Sequence, residues 1–295
     1  MANADSRPAG LAQRILFNES PIATRLARHV PILLLLGVML YPVLWLVGAS
    51  FSRGAMLGGQ LSFLPGDPTI DNYVQGWRGI GAIGFSQYFA NSLLISIGSI
   101  LGNLFSCTMA AYAFARIEFP LKRILFAILL LTILLPSQVT IIPQYIIFNT
   151  LGMVNTYWPL LIPKFTAVDA FYTFLIVQFI RGIPMSLDEA ARIDGCGHLQ
   201  IFLRVILPLC APALATTAVF TFIYSWNDFL GPLLYLNAPR LYTVPLGLAQ
   251  FMDATGTSMV GSLFAMSVLS LVPLIAVFAA AQRLLTDGIA TTGVK

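Results

Sequence analysis

The run from Val30 to Phe51 contains no charged side chain. It is long enough to cross the hydrocarbon core of a bilayer, for which about 20 apolar residues in a helix suffice. Comparable runs recur to the end of the chain. Hydrophobic residues make up 58% of the sequence and charged residues 9%, with a mean hydropathy of +0.84. A water-soluble domain of that make-up would lack the polar surface to cover itself. The chain therefore reads as an all-α, polytopic membrane protein.

Residues 1–29 are polar, carry Arg7, Arg14, Arg25 and Arg28, and read as a cytoplasmic tail. The Val30 run is longer than the apolar core of a secretory signal, so it is a retained first span, with Pro31 and Pro42 as candidate kinks. Residues 52–85, rich in Gly, Pro and Asp, form a first external loop. A second span is expected from about Phe89 to Ala115. Its polar members Asn91 and Asn103 suit hydrogen bonds across a helix interface, with a substrate contact as the other reading.

The third expected span, about Ile124 to Phe148, is interrupted by Pro136, Gln138 and Pro143. Broken backbone survives in a membrane only where protein or a water-filled cavity satisfies the freed groups, so this helix should border a pathway. The fourth span ends near Ile180 and carries Lys164, which can snorkel, and the deeper Asp169. Five residues apart on a helix, these two do not stack, which disfavours a bridge between them. A fifth span is expected from Val205 to Tyr235, with Pro208 and Pro212 in its opening turns. At its far end, Trp226-Asn227-Asp228-Phe229 fits either an interfacial anchor or the outer mouth of a pathway. Asn237 to Val260 form a second external loop, Ser262 to Leu285 a sixth span containing Pro273, and residues 288–295 a cytoplasmic tail. The spans thus make one domain, residues 30–287.

Residues 182–208 are the one long polar interruption in the second half. Ser186 followed by Glu189 has the spacing of a capping box, and Asp188 and Glu189 suit the positive end of a helix dipole. Leu187, Ala190, Ala191 and Asp194 share a face at helical spacing, and Gly195 is placed to end the helix in a left-handed conformation. About two turns of helix are too short to be stable without something to pack against. Capping and termination account for Ser186, Glu189 and Gly195, but not for the alanine pair or for the distant Leu207-Pro208.

With the N-terminus placed inside, twelve of the sixteen Lys and Arg residues fall on the cytoplasmic side, three (Arg53, Arg78, Arg240) fall outside, and Lys164 lies in the membrane. That is the bias expected when positive charge stays in the cytoplasm, and it puts Glu189 there too. The basic residues are scattered, which argues against a nucleic-acid partner. Cys107, Cys196, Cys210, His29 and His198 have no ligand or pairing pattern, so neither a metal site nor a disulfide is expected. No G-x-x-x-x-G-K-[ST] loop is present, so any ATP and Mg must be bound by another polypeptide.

The pattern Glu189-Ala190-Ala191, three residues, Gly195, nine residues, Val205, one residue, Leu207-Pro208 resembles the EAA loop of membrane-spanning permeases of ATP-binding-cassette importers. The family usually has isoleucine at the Val205 position. Asn91-Ser-Leu, Ala111-Tyr-Ala-Phe-Ala-Arg116, Trp226-Asn-Asp-Phe229 and Tyr242-Thr-Val-Pro-Leu-Gly247 are similar to the carbohydrate-type members, the maltose-system permeases among them. The tail Gly288-Ile-Ala-Thr-Thr-Gly-Val-Lys295 departs from the form usual there. This resemblance implies six spans with a coupling helix between the fourth and fifth, in a prokaryotic inner membrane. It implies as partners a homologous second permease, two copies of a cytoplasmic ATPase and an extracytoplasmic solute-binding protein. Ser186, Asp188, Glu189, Ala190, Ala191, Asp194, Gly195, Leu207 and Pro208 would then couple to the ATPase. Asn91, Pro136, Gln138, Asp169, Asn227 and Asp228 are pathway candidates.

Two other classes fit less well. An ion-coupled carrier generally needs ionisable groups at mid-membrane, and Asp169 has no second well-placed carboxylate. A membrane enzyme would need a catalytic constellation, and the sequence offers no catalytic residue. A glycerol-phosphate importer of the same architecture is the nearer alternative.

Overall fold

The computed structural model describes residues 22–52, 67–253 and 257–290. The expected tails, residues 1–29 and 288–295, lie largely outside that range, as do Arg7, Arg14, Arg53 and Lys295. The described residues are helical apart from turns and two isolated bridges, Ser52 with Pro68 and Ile80 with Ile83.

The helices are α1 (Ile22–Ser50), α2 (Asp71–Arg78), α3 (Phe85–Arg116), α4 (Lys122–Ile133), α5 (Ser137–Thr150), α6 (Trp158–Leu161) and α7 (Ala170–Gly182). They continue with α8 (Met185–Ile193), α9 (His198–Ile201), α10 (Leu207–Leu209), α11 (Ala211–Asn227), α12 (Leu230–Tyr235), α13 (Val244–Asp253) and α14 (Thr257–Ala290). Among the described residues, four stretches are long and apolar enough to cross a membrane: His29–Ser50, Phe85–Arg116, Trp158–Gly182 and Met259–Gln282. Two bent pairs bring the total to six if each is one span: α4 with α5, turned by 104°, and His198–Leu209 with α11, turned by 75°.

The central strut is α3. At 32 residues it is about 48 Å long from its rise per residue, more than the hydrocarbon thickness. Its buried side is a row of small and polar residues, Ser92, Ser96, Ser99, Gly102, Asn103 and Ser106, which lets neighbouring helices approach closely. A Cβ at Gly102 would come within 2.9 Å of the Lys164 backbone carbon, so glycine is what admits the fourth span there. By contrast, α1 buries little against the rest, and its exposed leucines face outward as expected of a helix in lipid.

Two apolar cores lie at opposite ends of this strut. One gathers Cys107, Ala111, Ile176, Val177, Ile180, Ile201 and Ile206 around the end that carries α8. The other gathers Phe85, Tyr88, Phe222, Trp226, Val244, Phe251 and Met266 at the far end.

Several expected boundaries are corrected. The fifth span does not run straight from Val205 to Tyr235. Residues Phe202–Ile206 form a π-helical turn, the chain bends at Cys210, and the straight segment is α11 alone, followed by the separate helix α12. Pro212, in the first turn of α11, has no amide to join the preceding turn, which accounts for a break there. The second external loop is not a loop throughout. Within it α13 buries Val244, Leu246, Gly247 and Phe251 against α3 and α14.

Candidate functional site

The polar interruption folds as the short helix α8, with α9 and α10 following. The start of α8 differs from the capping box read from the sequence. The cap residue is Pro184, the helix begins at Met185, and no side chain caps it, so Ser186 lies inside the first turn. Proline explains this: it holds the preceding Ile183 extended and launches the helix directly. The end of α8 is as expected. Gly195 has φ +82°, its amide donates to Arg192 O at 3.0 Å, and the Cys196 amide donates to Ala191 O at 2.9 Å, which together make a Schellman close.

The helix is suspended from the bundle by Arg116, the last residue of α3. Arg116 Nη2 donates to Ile183 O at 2.7 Å, Nη1 approaches the Met185 sulfur at 2.8 Å, and Nε lies 3.0 Å from Asp188 Oδ2. Both side chains are almost fully buried, 3% and 2% exposed. Asp188 Oδ1 accepts no hydrogen bond from the described residues, and Nε is not aligned for one. A buried pair of this kind adds little net stability, but removal of either partner strands a charge at a cost of about 3–5 kcal/mol.

Asp188, expected among the coupling residues, points into the bundle, where its ion pair with Arg116 ties α8 to the end of α3. Ala191 turns the same way, against the core at that end, and so does Leu207. Ser186, Glu189, Ala190, Asp194, Gly195 and Pro208 are exposed. Around them stand Leu187, expected on that face, and three apolar side chains not singled out from the sequence: Met185, Leu199 and, at 87% exposure, Ile193. A two-turn helix that leaves an isoleucine this bare, fixed at its back by a buried ion pair, is shaped to be covered. Tyr112 adds a lateral brace from α3, with its hydroxyl 3.2 Å from His198 O.

A second polar cluster sits within the bundle. The fourth span is broken: a 3₁₀ turn over Ile162–Thr166 is followed by Ala167 in the left-handed region, φ +54°, before α7 starts. This break brings Lys164 Nζ to 2.9 Å from Asp169 Oδ2, a bridge that regular helical spacing disfavours. The same carboxylate oxygen accepts from Asn103 Nδ2 at 2.8 Å, and Asn103 also donates to Thr221 Oγ1 at 3.1 Å. Asp169 thus links the second, fourth and fifth spans. Lys164 Nζ also sits 5.8 Å from the centre of the Tyr224 ring, which is 65% exposed.

The remaining pathway candidates divide. Pro136 and Gln138 are exposed at the sharp turn between α4 and α5, as the broken-span reading requires. Asn91 is instead buried, donating to Arg240 O and Tyr242 O at 2.9 Å each, and so fastens the segment before α13 to α3. Trp226 lies inside the core at the far end of α3, donating from Nε1 to Ser270 O and stacked on Phe222. Asn227 closes the end of α11 through Ile223 O, and Asp228 Oδ1 receives the Gly231 amide at 3.1 Å. Asn227 does local work at the helix break, whereas Asp228 also lies close enough to Lys164, the partner of Asp169, to feel its charge.

Arg116 was legible as a cytoplasmic-side positive charge and as the end of the Ala111–Arg116 motif, but not as the anchor of α8. The available signal was its position, a lone arginine closing a long, otherwise uncharged helix. The Lys164 contact had no signal, because it depends on a left-handed alanine.

Residues 102–291 match the family of binding-protein-dependent transport system inner membrane components. The chain is 31% identical over 88% of its length to the galactooligosaccharides transport system permease protein GanQ of Bacillus subtilis (strain 168), of which 91% is covered. It is 29% identical over 94% of its length to the sn-glycerol-3-phosphate transport system permease protein UgpE of Brucella abortus (strain 2308), of which 99% is covered. Its fold is similar to that of a bacterial ABC transporter involved in the import of the acidic polysaccharide alginate, with a TM-score of 0.78 and 26% identity across 90% of this chain and 98% of that one. With a multi-pass helical body and a short helix hung outside it, the chain belongs to the family of binding-protein-dependent transport system inner membrane components.

Proposed function

We propose that this chain is a permease subunit of an ATP-driven importer of a carbohydrate, and that it forms one half of the translocation pathway beside a homologous second permease. The bare outer face of α8, built from Ser186, Leu187, Glu189, Ala190 and Ile193, seats in a groove on one of two copies of a cytoplasmic ATPase. The observation that carries this reading is the pairing of that exposed face with a buried ion pair behind it. A helix held only by its exposed side could not transmit force. One fixed to the end of a strut that crosses the bilayer can.

Closure of the ATPase then moves α8, Arg116 passes the displacement to α3, and the broken third and fourth spans accommodate it. ATP and Mg are held and hydrolysed by the partner, this chain supplying no catalytic group. Inverting a strongly biased equilibrium requires several kcal/mol of differential binding, of which this docking supplies a share. The side carrying α8 is the cytoplasmic one, with both termini there, in a prokaryotic inner membrane. An extracytoplasmic binding protein delivers the sugar to the opposite face.

A carbohydrate is favoured over a glycerol phosphate because Lys164 is matched by Asp169 at 2.9 Å, leaving that pair without net charge to offer an anionic cargo. The test is Glu189→Lys in the purified complex reconstituted with its ATPase and binding protein. The substitution reverses charge on the seating face without touching the ion pair. Loss of sugar-stimulated ATP hydrolysis with permease still in the membrane is expected. Full stimulation would overturn the coupling role.

A further inference from the structure

On the same end of the bundle as α8, the turn between α3 and α4 and the end of α7 enclose a groove of about 690 Å³. Its cationic members are Lys122, Arg123 and Arg181, against the single carboxylate of Glu118, and Ile124 and Phe126 form part of its apolar wall. Glu118 is engaged with Lys122 at 2.8 Å. Arg123 and Arg181 have no carboxylate within ion-pair distance among the described residues, and the Arg181 guanidinium lies 5.0 Å from the centre of the Phe126 ring, which holds it at the groove wall.

The groove leads onto α4, none of whose residues is buried within this chain; Ile124, Ile128 and Leu131 are all more than half exposed. An apolar helix surface that begins at a rim where cations outnumber carboxylates has the layout of a lipid site, with hydrocarbon along the helix and an anionic headgroup at the level where the span emerges. The geometry points to this groove as a binding site for an anionic phospholipid, whose phosphate is received by Lys122, Arg123 and Arg181 and whose acyl chain lies along α4. Positive charge outnumbers negative at the rim, so a zwitterionic lipid gains less there than one with a net negative headgroup. Arg181 ends the helix that leads through Ile183 into α8, so the lipid would sit beside the coupling element.

The experiment uses the intact transporter complex in nanodiscs of phosphatidylcholine with and without phosphatidylglycerol, with retained lipid measured by native mass spectrometry. The wild-type complex is expected to retain phosphatidylglycerol over phosphatidylcholine by about tenfold. Replacement of Lys122, Arg123 and Arg181 by glutamine should abolish the preference and leave ATP hydrolysis in pure phosphatidylcholine unchanged. Glu118→Gln, which adds to the positive excess, should raise the preference. Equal retention of both lipids by the wild type, or an undiminished preference in the triple variant, overturns the inference. Loss of the ATPase subunit from the triple variant also overturns it, because the rim would then be a protein contact. The groove needs only that the chain spans a bilayer, and retention is read without sugar or nucleotide. Its failure is therefore distinguishable from a failure of the importer reading.

Discussion

The two ends of the α3 strut are fastened in different ways. At the far end, Phe85, Tyr88, Phe222, Trp226 and Phe251 bury large aromatic area, and the polar links there are neutral, such as Asn91 to two carbonyls and Ser92 to the Val244 amide. At the end that carries α8, mostly aliphatic residues, with Tyr112 and Phe202, surround one charged joint, Arg116 with Asp188. Area is non-directional and fails gradually, whereas a buried ion pair is directional and fails at once. The difference teaches that the far end is built to hold a shape and the end that carries α8 to hold a pose.

The contrast is broken most sharply at the ion pair. Asp188→Ala strands the Arg116 charge, at about 3–5 kcal/mol, and is expected to lower the melting temperature of the complex and to release the ATPase on purification. The double change Arg116→Met with Asp188→Leu leaves no lone charge and should recover most of the thermal stability while stimulation by sugar stays impaired. Recovery of both together would mean that the pair does not set the pose of α8.

At the far end, Asn91→Ala leaves the Arg240 and Tyr242 carbonyls without their side-chain donor, a loss of about 1–3 kcal/mol if water does not replace it. The expected result is faster proteolysis near residues 237–243 with ATPase association intact. Release of the ATPase instead would show that the two ends are not separately fastened. The smallest effect is expected from Gly195→Ala, since a side chain at φ +82° costs about 1–2 kcal/mol but the Cβ meets nothing within 4 Å. Hydrogen exchange should rise in residues 185–196 alone, and a rise spreading into α3 would argue that the Schellman close, more than Arg116, anchors the helix.

Much of the fold is legible because lipid imposes so strict a grammar. The charge-free run ending at Phe51, the apolar segment after Pro120 with its break at Pro136, and the alternation of polar connections were enough to expect six crossings and an interrupted third one. The short helix α8 was equally plain in Glu189, the alanine pair and Gly195, since the residues that end and smooth a short helix are local in their requirements. Less plain was which of them face outward. Asp188 and Glu189 are adjacent and chemically alike, and only the position of Arg116 at the end of α3 decides that the first is drawn inside and the second left out.

By itself, then, the sequence determined a helical membrane protein, the presence and termination of α8, and the family, because hydropathy, glycine conformation and motif spacing act over a few turns at most. The tertiary structure alone decided that Arg116 carries α8, that Asp169 bridges to Lys164 across a left-handed Ala167, and that Asn91 fastens the segment before α13 to α3. Each of these joins groups far apart in the chain or depends on a local break in the helix. Periodicity along a sequence describes regular helices and carries no information about where two of them meet or where one stops being regular.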